Sequence, residues 1–149
     1  MNLLTGANIW QITNSPNYIK NFTVRKDTIY CSYYESNVPA NPQGINNIAA
    51  LNKQTGSLLW KKLIPELSGP DNIKLHGNIL NYISTPSNCN TVSQVYSFDI
   101  DTKTVLWSTP VGINDSNAYS KMKVNYDVLW IKNGSGTLLG LTKNTGETI

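Results

Sequence analysis

Thr55-Gly56-Ser57-Leu58-Leu59-Trp60 is written again as Thr5-Gly6-Ala7-Asn8-Ile9-Trp10 and as Thr102-Lys103-Thr104-Val105-Leu106-Trp107, and it begins a fourth time as Thr145-Gly146-Glu147-Thr148-Ile149. The four threonines stand 50, 47 and 43 residues apart. Self-similarity at periods of roughly 20–50 residues marks a repeat architecture, not one irregular domain. Each of the three copies that reach their tryptophan passes from a polar turn into a short run that ends in that aromatic ring, the pattern of a turn feeding a strand.

Outward from that string, each unit resolves into four strand-sized runs separated by turn residues. In the middle unit these are Asn72 to Leu75, Ile79 to Ser84, Gln94 to Asp99 and Thr104 to Trp107. The first unit repeats them as Tyr18 to Val24, Thr28 to Tyr34, Asn47 to Leu51 and Ser57 to Leu63, and the third as Lys121 to Val124, Val128 to Ile131, Thr137 to Leu141 and Thr148 onward. Lys26-Asp27, Gly77-Asn78 and Tyr126-Asp127 fill the first bend of each unit with turn-forming residues. Insertions concentrate between the second and third runs, at Glu35 to Gly44 and Thr85 to Thr91. Four antiparallel strands per unit with variable loops predict an all-β partial propeller of about three blades. The expected repeats are 13–63, 64–110 and 111–149, with 1–12 as the last strand of a preceding blade.

Composition agrees. Of 149 residues, 40% are hydrophobic and 14% charged, enough apolar material for a core. The aromatic and β-branched residues favour strands, and the Asn, Gly, Pro and Ser between them favour turns. A net charge of +3 from scattered basic residues leaves no footprint for nucleic acid. No stretch reaches the roughly 18 apolar residues of a membrane span. Cys31 and Cys89 lie in non-equivalent surroundings and read as two unpaired thiols. The first residues lack the basic and apolar regions of a signal peptide.

The string Ala50-Leu51-Asn52-Lys53-Gln54-Thr55-Gly56-Ser57-Leu58-Leu59-Trp60, repeated over Ser97 to Trp107, resembles the tryptophan-docking motif of the quinoprotein-type, or PQQ-like repeat, β-propellers. In that motif a small residue, a spaced Asp, a Thr-Gly turn and a Trp follow one another. The positions that carry the resemblance are Thr5, Gly6, Trp10, Thr55, Gly56, Trp60, Asp99, Thr102, Trp107, Thr145 and Gly146. It implies that each tryptophan packs against the neighbouring blade, a use favoured over a stacking platform for a sugar or quinone. Position 103 is Lys where the motif has Gly, and position 142 is Thr where it has Asp, so both turns are expected to be tighter or less regular. Family members include the propeller lipoprotein of the outer-membrane protein assembly machinery and the quinoprotein dehydrogenases. The likeness suggests a periplasmic or extracellular setting if a signal lies upstream.

Chemistry is sparse. Quinone-dependent members of the family use adjacent cysteines, a stacking tryptophan and an acidic calcium site, and this sequence has no adjacent cysteines. Asp99 and Asp101 sit where hydrogen bonding to the turn backbone explains them, and their spacing does not match a calcium loop. His76, the single histidine, has no partner for nucleophilic catalysis. No catalytic, cofactor-binding or metal residue is assigned, and no cofactor is expected. The leading expectation is a noncatalytic protein-interaction scaffold that binds a protein partner through the loops Tyr33 to Asn47 and Thr85 to Thr91. Two other readings stay open: a fragment of a quinoprotein dehydrogenase or other propeller enzyme, and a carbohydrate-binding or surface-adhesion module. The aromatic surface for the latter is Tyr33, Tyr34, Tyr119 and Trp130, although Trp130 is read first as a core residue. Because three blades do not close a ring, the chain is expected to be part of a longer propeller or to self-associate into a six-bladed one.

Overall fold

The computed structural model describes residues 9–11, 18–36, 45–64, 70–84, 92–111, 121–132 and 136–149. These residues form eleven strands and no helix. The chain divides into two compact units, 1–65 and 66–149.

The first unit holds one antiparallel sheet in the order β1-β2-β3-β4, formed by β1 (Tyr18–Arg25), β2 (Thr28–Glu35), β3 (Ile45–Asn52) and β4 (Leu58–Leu63). The second unit holds two sheets. One is β5-β6-β7-β8, built from β5 (Pro70–His76), β6 (Ile79–Ser84), β7 (Gln94–Asp99) and β8 (Thr104–Pro110). The other is β11-β10-β9, from β9 (Lys121–Asn125), β10 (Val128–Lys132) and β11 (Leu138–Thr142), with Thr148 bridging Leu141 where a fourth strand would start.

Register repeats from sheet to sheet. Ala50 pairs with Trp60 and Leu51 with Leu58, so Leu59 is an extra residue in β4; Ser97 pairs with Trp107 and Phe98 with Val105, so Leu106 is the extra residue in β8. A bulge of this kind bends the edge strand and re-aims its side chains. Leu58, Leu59, Val105 and Leu106 are each about half exposed.

Strands β3 and β8 run clearly longer than the sequence pattern predicts, because neighbours supply pairing. β3 starts at Ile45 because Ile45 and Asn46 pair with Glu35 and Tyr34. Asn47, a residue that ordinarily favours loops, is buried in this central strand and donates to Glu35 Oε2 at 3.2 Å. Glu35 also receives Lys61 Nζ at 2.6 Å, so one carboxylate ties three adjacent strands. β8 continues to Pro110, which an edge strand tolerates because the missing N–H lies outside the ladder. His76 ends β5, paired with Ile79, and the bend itself is Gly77-Asn78.

In the first unit Cys31, Ala49 and Leu51 form a small core with Ile19, Ile29 and Tyr33 packed on it. In the second, Ile83 and Val95 of one sheet and Met122, Leu129, Ile131 and Leu141 of the other form a single cluster, flanked by Trp107, Val111, Val124 and Leu139. Alternation along each strand thus gives the two sheets of this unit facing apolar surfaces, and their contact is its core.

Candidate functional site: indoles seated on hairpin turns

The turn between β3 and β4 is built by Asn52. Its Oδ1 accepts from Gln54 N at 2.8 Å and Thr55 N at 3.0 Å, while its carbonyl accepts from Gly56 N at 2.8 Å and its N–H donates to Ser57 O at 2.8 Å. Gly56 has φ +71°, a left-handed conformation that costs glycine nothing. Asp99 does the same work between β7 and β8: its Oδ1 accepts from Asp101 N at 2.8 Å and Thr102 N at 3.0 Å, and its carbonyl from Lys103 N at 2.8 Å.

The Lys103 turn is therefore as regular as the Gly56 turn, contrary to the expectation from the substituted glycine. Lys103 takes φ +58°, and the aspartate bonds together with the carbonyl bond over-determine that strained backbone. At Thr142 the side-chain bonding does depart from the pattern. A hydroxyl is shorter than a carboxylate, so Thr142 Oγ1 pairs with Thr145 Oγ1 at 2.5 Å and accepts from Glu147 N at 3.1 Å. The main-chain bond Gly146 N to Thr142 O nevertheless keeps the same 2.8 Å length.

A second tier joins each of these turns to the first bend of its own sheet. Lys53 N donates to Asp27 O at 2.8 Å, Ile100 N to Asn78 O at 3.0 Å, and Lys143 N to Asp127 O at 2.7 Å. Lys143 Nζ lies 3.4 Å from Asp127 Oδ1, and in the middle sheet the Asn78 amide bonds the Asp101 carboxylate. Sequence reading located these bends and missed their union. The signal was an Asp or Asn at the second bend position in all three units, but a main-chain bond between two turns has no side-chain signature.

The tryptophans sit on this framework. Trp10 Nε1 donates to Lys53 O at 2.8 Å, and Trp107 Nε1 donates to Lys143 O at 3.0 Å. Each indole lies flush on the turn glycine: a Cβ built on Gly56 would stand 2.6 Å from Trp10 Cδ2 and Cε3, and one on Gly146 would stand 2.8 Å from Trp107 Cδ2. Thr109 completes the second seat by donating to Gly146 O at 2.7 Å, a role that the sequence reading did not assign. The backbone of Lys53 or Lys143 thus donates through its N–H to one bend and accepts at its carbonyl from an indole.

Trp60 stands opposite Ala50 with its ring 6.2 Å from that of Tyr30, tilted by 54°. Thr55 and Thr102 bond the Ser57 and Thr104 hydroxyls at 2.8 Å, and Thr145 Oγ1 donates to Glu147 Oε2 at 3.1 Å. Thr5 and Gly6 lie outside the described residues, as does Tyr119. Tyr33 and Tyr34 are neighbours on β2 and point to opposite faces; Trp130 lies on β10 against Gly140, in the other unit. Tyr33 and Tyr34 therefore do not share one face of their sheet. The loop expected to bind a partner lies outside the described residues over 37–44, and so does 85–91.

Cys31 is a free, buried thiol whose pKa burial pushes up to about 12. It stays protonated at neutral pH and is a packing residue. Among the described residues no group of three or more His, Cys, Asp or Glu is placed to hold a metal ion.

No family model and no curated protein matches the chain. Solved structures do. BamB from Moraxella catarrhalis superposes with a TM-score of 0.61 at 18% identity, over 96% of this chain and 38% of that one. The computationally designed Ika4 protein gives 0.59 at 13% identity, over 97% and 78%, and quinohemoprotein alcohol dehydrogenase ADHIIG from Pseudomonas putida HK5 gives 0.58 at 13%, over 89% and 21%. This chain thus spans well under half of BamB and about a fifth of the dehydrogenase. At such identities the likeness is one of fold. In that fold, with three antiparallel sheets of four, four and three strands among the described residues, the chain is an all-β partial β-propeller.

Proposed function

We propose that this chain is a noncatalytic segment of a PQQ-like propeller that serves as a protein-interaction scaffold. The observation that carries the reading is the apolar pair repeated on the edge strands, Leu58-Leu59 on β4 and Val105-Leu106 on β8, half exposed beside each strand's tryptophan. Apolar side chains recurring on sheet edges favour a protein surface as partner, because each edge also presents a row of backbone groups for pairing. Trp10 and Trp107 are, in this reading, clasps between consecutive blades. The rigid turns they cover hold the edges and the variable loops in fixed places, with repeats running over 13–63, 64–110 and 111–149 and residues 1–12 ending a preceding blade. Self-association is one form such an interaction takes, since Phe22 and Val24 on β1 are exposed at the register positions where Met122 and Val124 of β9 are packed in the core.

The test compares the chain with a Leu59→Glu/Leu106→Glu variant in affinity capture and in analytical ultracentrifugation. Loss of a captured protein or of self-association in that variant, with the fold kept, supports the edge-strand scaffold. Binding unchanged by the variant, and by alanine replacement of the two loops, defeats it. The structural likeness to a quinohemoprotein dehydrogenase motivates a second reading, a piece of an enzyme. Adding pyrroloquinoline quinone and calcium and seeing neither dye reduction nor a change in quinone absorbance removes it.

A further inference from the structure

Asn81 on β6 and Ser97 on β7 face each other across the middle sheet, and both are fully buried. The same register position is held by Tyr30 and Ala50 in the first sheet and by Trp130 and Gly140 in the third, an aromatic ring beside a small residue. The middle sheet alone places an amide and a hydroxyl there. Strand alternation puts them on the face of Ile83 and Val95, which shares its core with Met122, Leu129, Ile131 and Leu141 of the neighbouring sheet. Trp107, paired with Ser97, closes that face.

Lys74 of β5 stands opposite Asn81 on the other side, and among the described residues Asn81 Oδ1, Asn81 Nδ2 and Ser97 Oγ have no hydrogen-bond partner. Buried polar atoms in folded proteins are hydrogen-bonded almost without exception, to protein or to ordered water. A direct Asn81–Ser97 bond would satisfy only one end of the amide, whose oxygen accepts and whose nitrogen donates. One water satisfies all three atoms: it accepts from Nδ2, donates to Oδ1, and uses its other hydrogen or lone pair on the Ser97 hydroxyl. Buried waters make about three such bonds. We infer that Asn81 and Ser97 form a buried hydration site, holding one water molecule between the middle sheet and the β9–β11 sheet.

The experiment is a crystal structure of the full chain at a resolution that shows ordered water, paired with ¹⁷O relaxation dispersion in solution. The expected map has a water peak about 2.7–3.2 Å from the Asn81 amide and from Ser97 Oγ. A dry site, or an Asn81–Ser97 bond with no peak, overturns the inference. In solution the number of long-lived waters should fall by one in the Asn81→Tyr/Ser97→Ala variant, which copies the Tyr30–Ala50 pair of the first sheet; an unchanged number overturns it as well. The wild-type map decides the question even where that variant fails to fold.

Discussion

Trp107 and Gly146 meet face to backbone: the indole covers the glycine while its Nε1 donates to Lys143 O at 3.0 Å, three residues earlier in the same turn. Trp10 and Gly56 repeat the relationship in the other unit, with the bond to Lys53 O at 2.8 Å. Two demands fall on the glycine at once, a left-handed backbone and room for a ring.

Those demands are separable. Gly146→Ala meets both the positive φ and the indole, and it should destabilise the chain by about 2–4 kcal/mol. Gly77→Ala meets only the φ of +59°, since nothing lies within 4 Å of its added Cβ, and it should cost about 1 kcal/mol. Equal urea midpoints for the two variants would show that the indole is not seated on the turn.

Lys103 carries the opposite prediction. It already occupies the left-handed region at φ +58° without being glycine. Lys103→Gly relieves that strain against a larger loss of chain entropy, for a net gain of about 0.5–1 kcal/mol, or a rise of roughly 1–4 °C in melting temperature. A lower melting temperature would mean that the lysine side chain contributes more than its backbone costs.

Trp107→Phe retains a ring but leaves the Lys143 carbonyl without its donor. Denaturation should show a loss of about 1–2 kcal/mol, smaller than the roughly 3–5 kcal/mol of Trp107→Ala. If phenylalanine cost as much as alanine, the hydrogen bond and not the packing would dominate the clasp.

Cys31 supplies a pH signature. Burial raises its folded pKa to about 12, above the ordinary thiol value of 9.0, so the folded state holds the proton more tightly than the unfolded one. That contribution to stability is complete below pH 9 and is lost as pH rises from about 9 toward 12, where the unfolded chain ionises first. In a Cys89→Ser background, Cys31 should resist a thiol reagent at pH 8 until denaturant is added. Rapid labelling of the native protein would contradict its burial.

Local chemistry made most of the architecture legible. Ile79 to Ser84 and Gln94 to Asp99 are strands over the very residues that their alternation and flanking turns mark out, because turn residues and side-chain period act at short range. Asn46 and Pro110 were harder to read as strand, since pairing with Tyr34 of β2 and an edge position in the ladder make them acceptable there. The Lys103 turn was misjudged for a similar reason: a glycine preference is local, whereas the aspartate bonds that override it belong to the folded hairpin.

The division between chain and fold follows from range. The Thr-Gly-to-Trp period, the four strand-sized runs per unit and the turns at Asp27, Asn78 and Asp127 are properties of neighbouring residues, so the amino-acid order alone dictated an all-β partial propeller. Which carbonyl receives each indole, how Lys53 and Lys143 link two turns, and that Asn81 and Ser97 end up buried on the face of Ile83 and Val95 were settled by packing. Those contacts join residues well separated in the chain, and only burial, which removes competing water, makes a single hydrogen bond or a buried polar pair consequential.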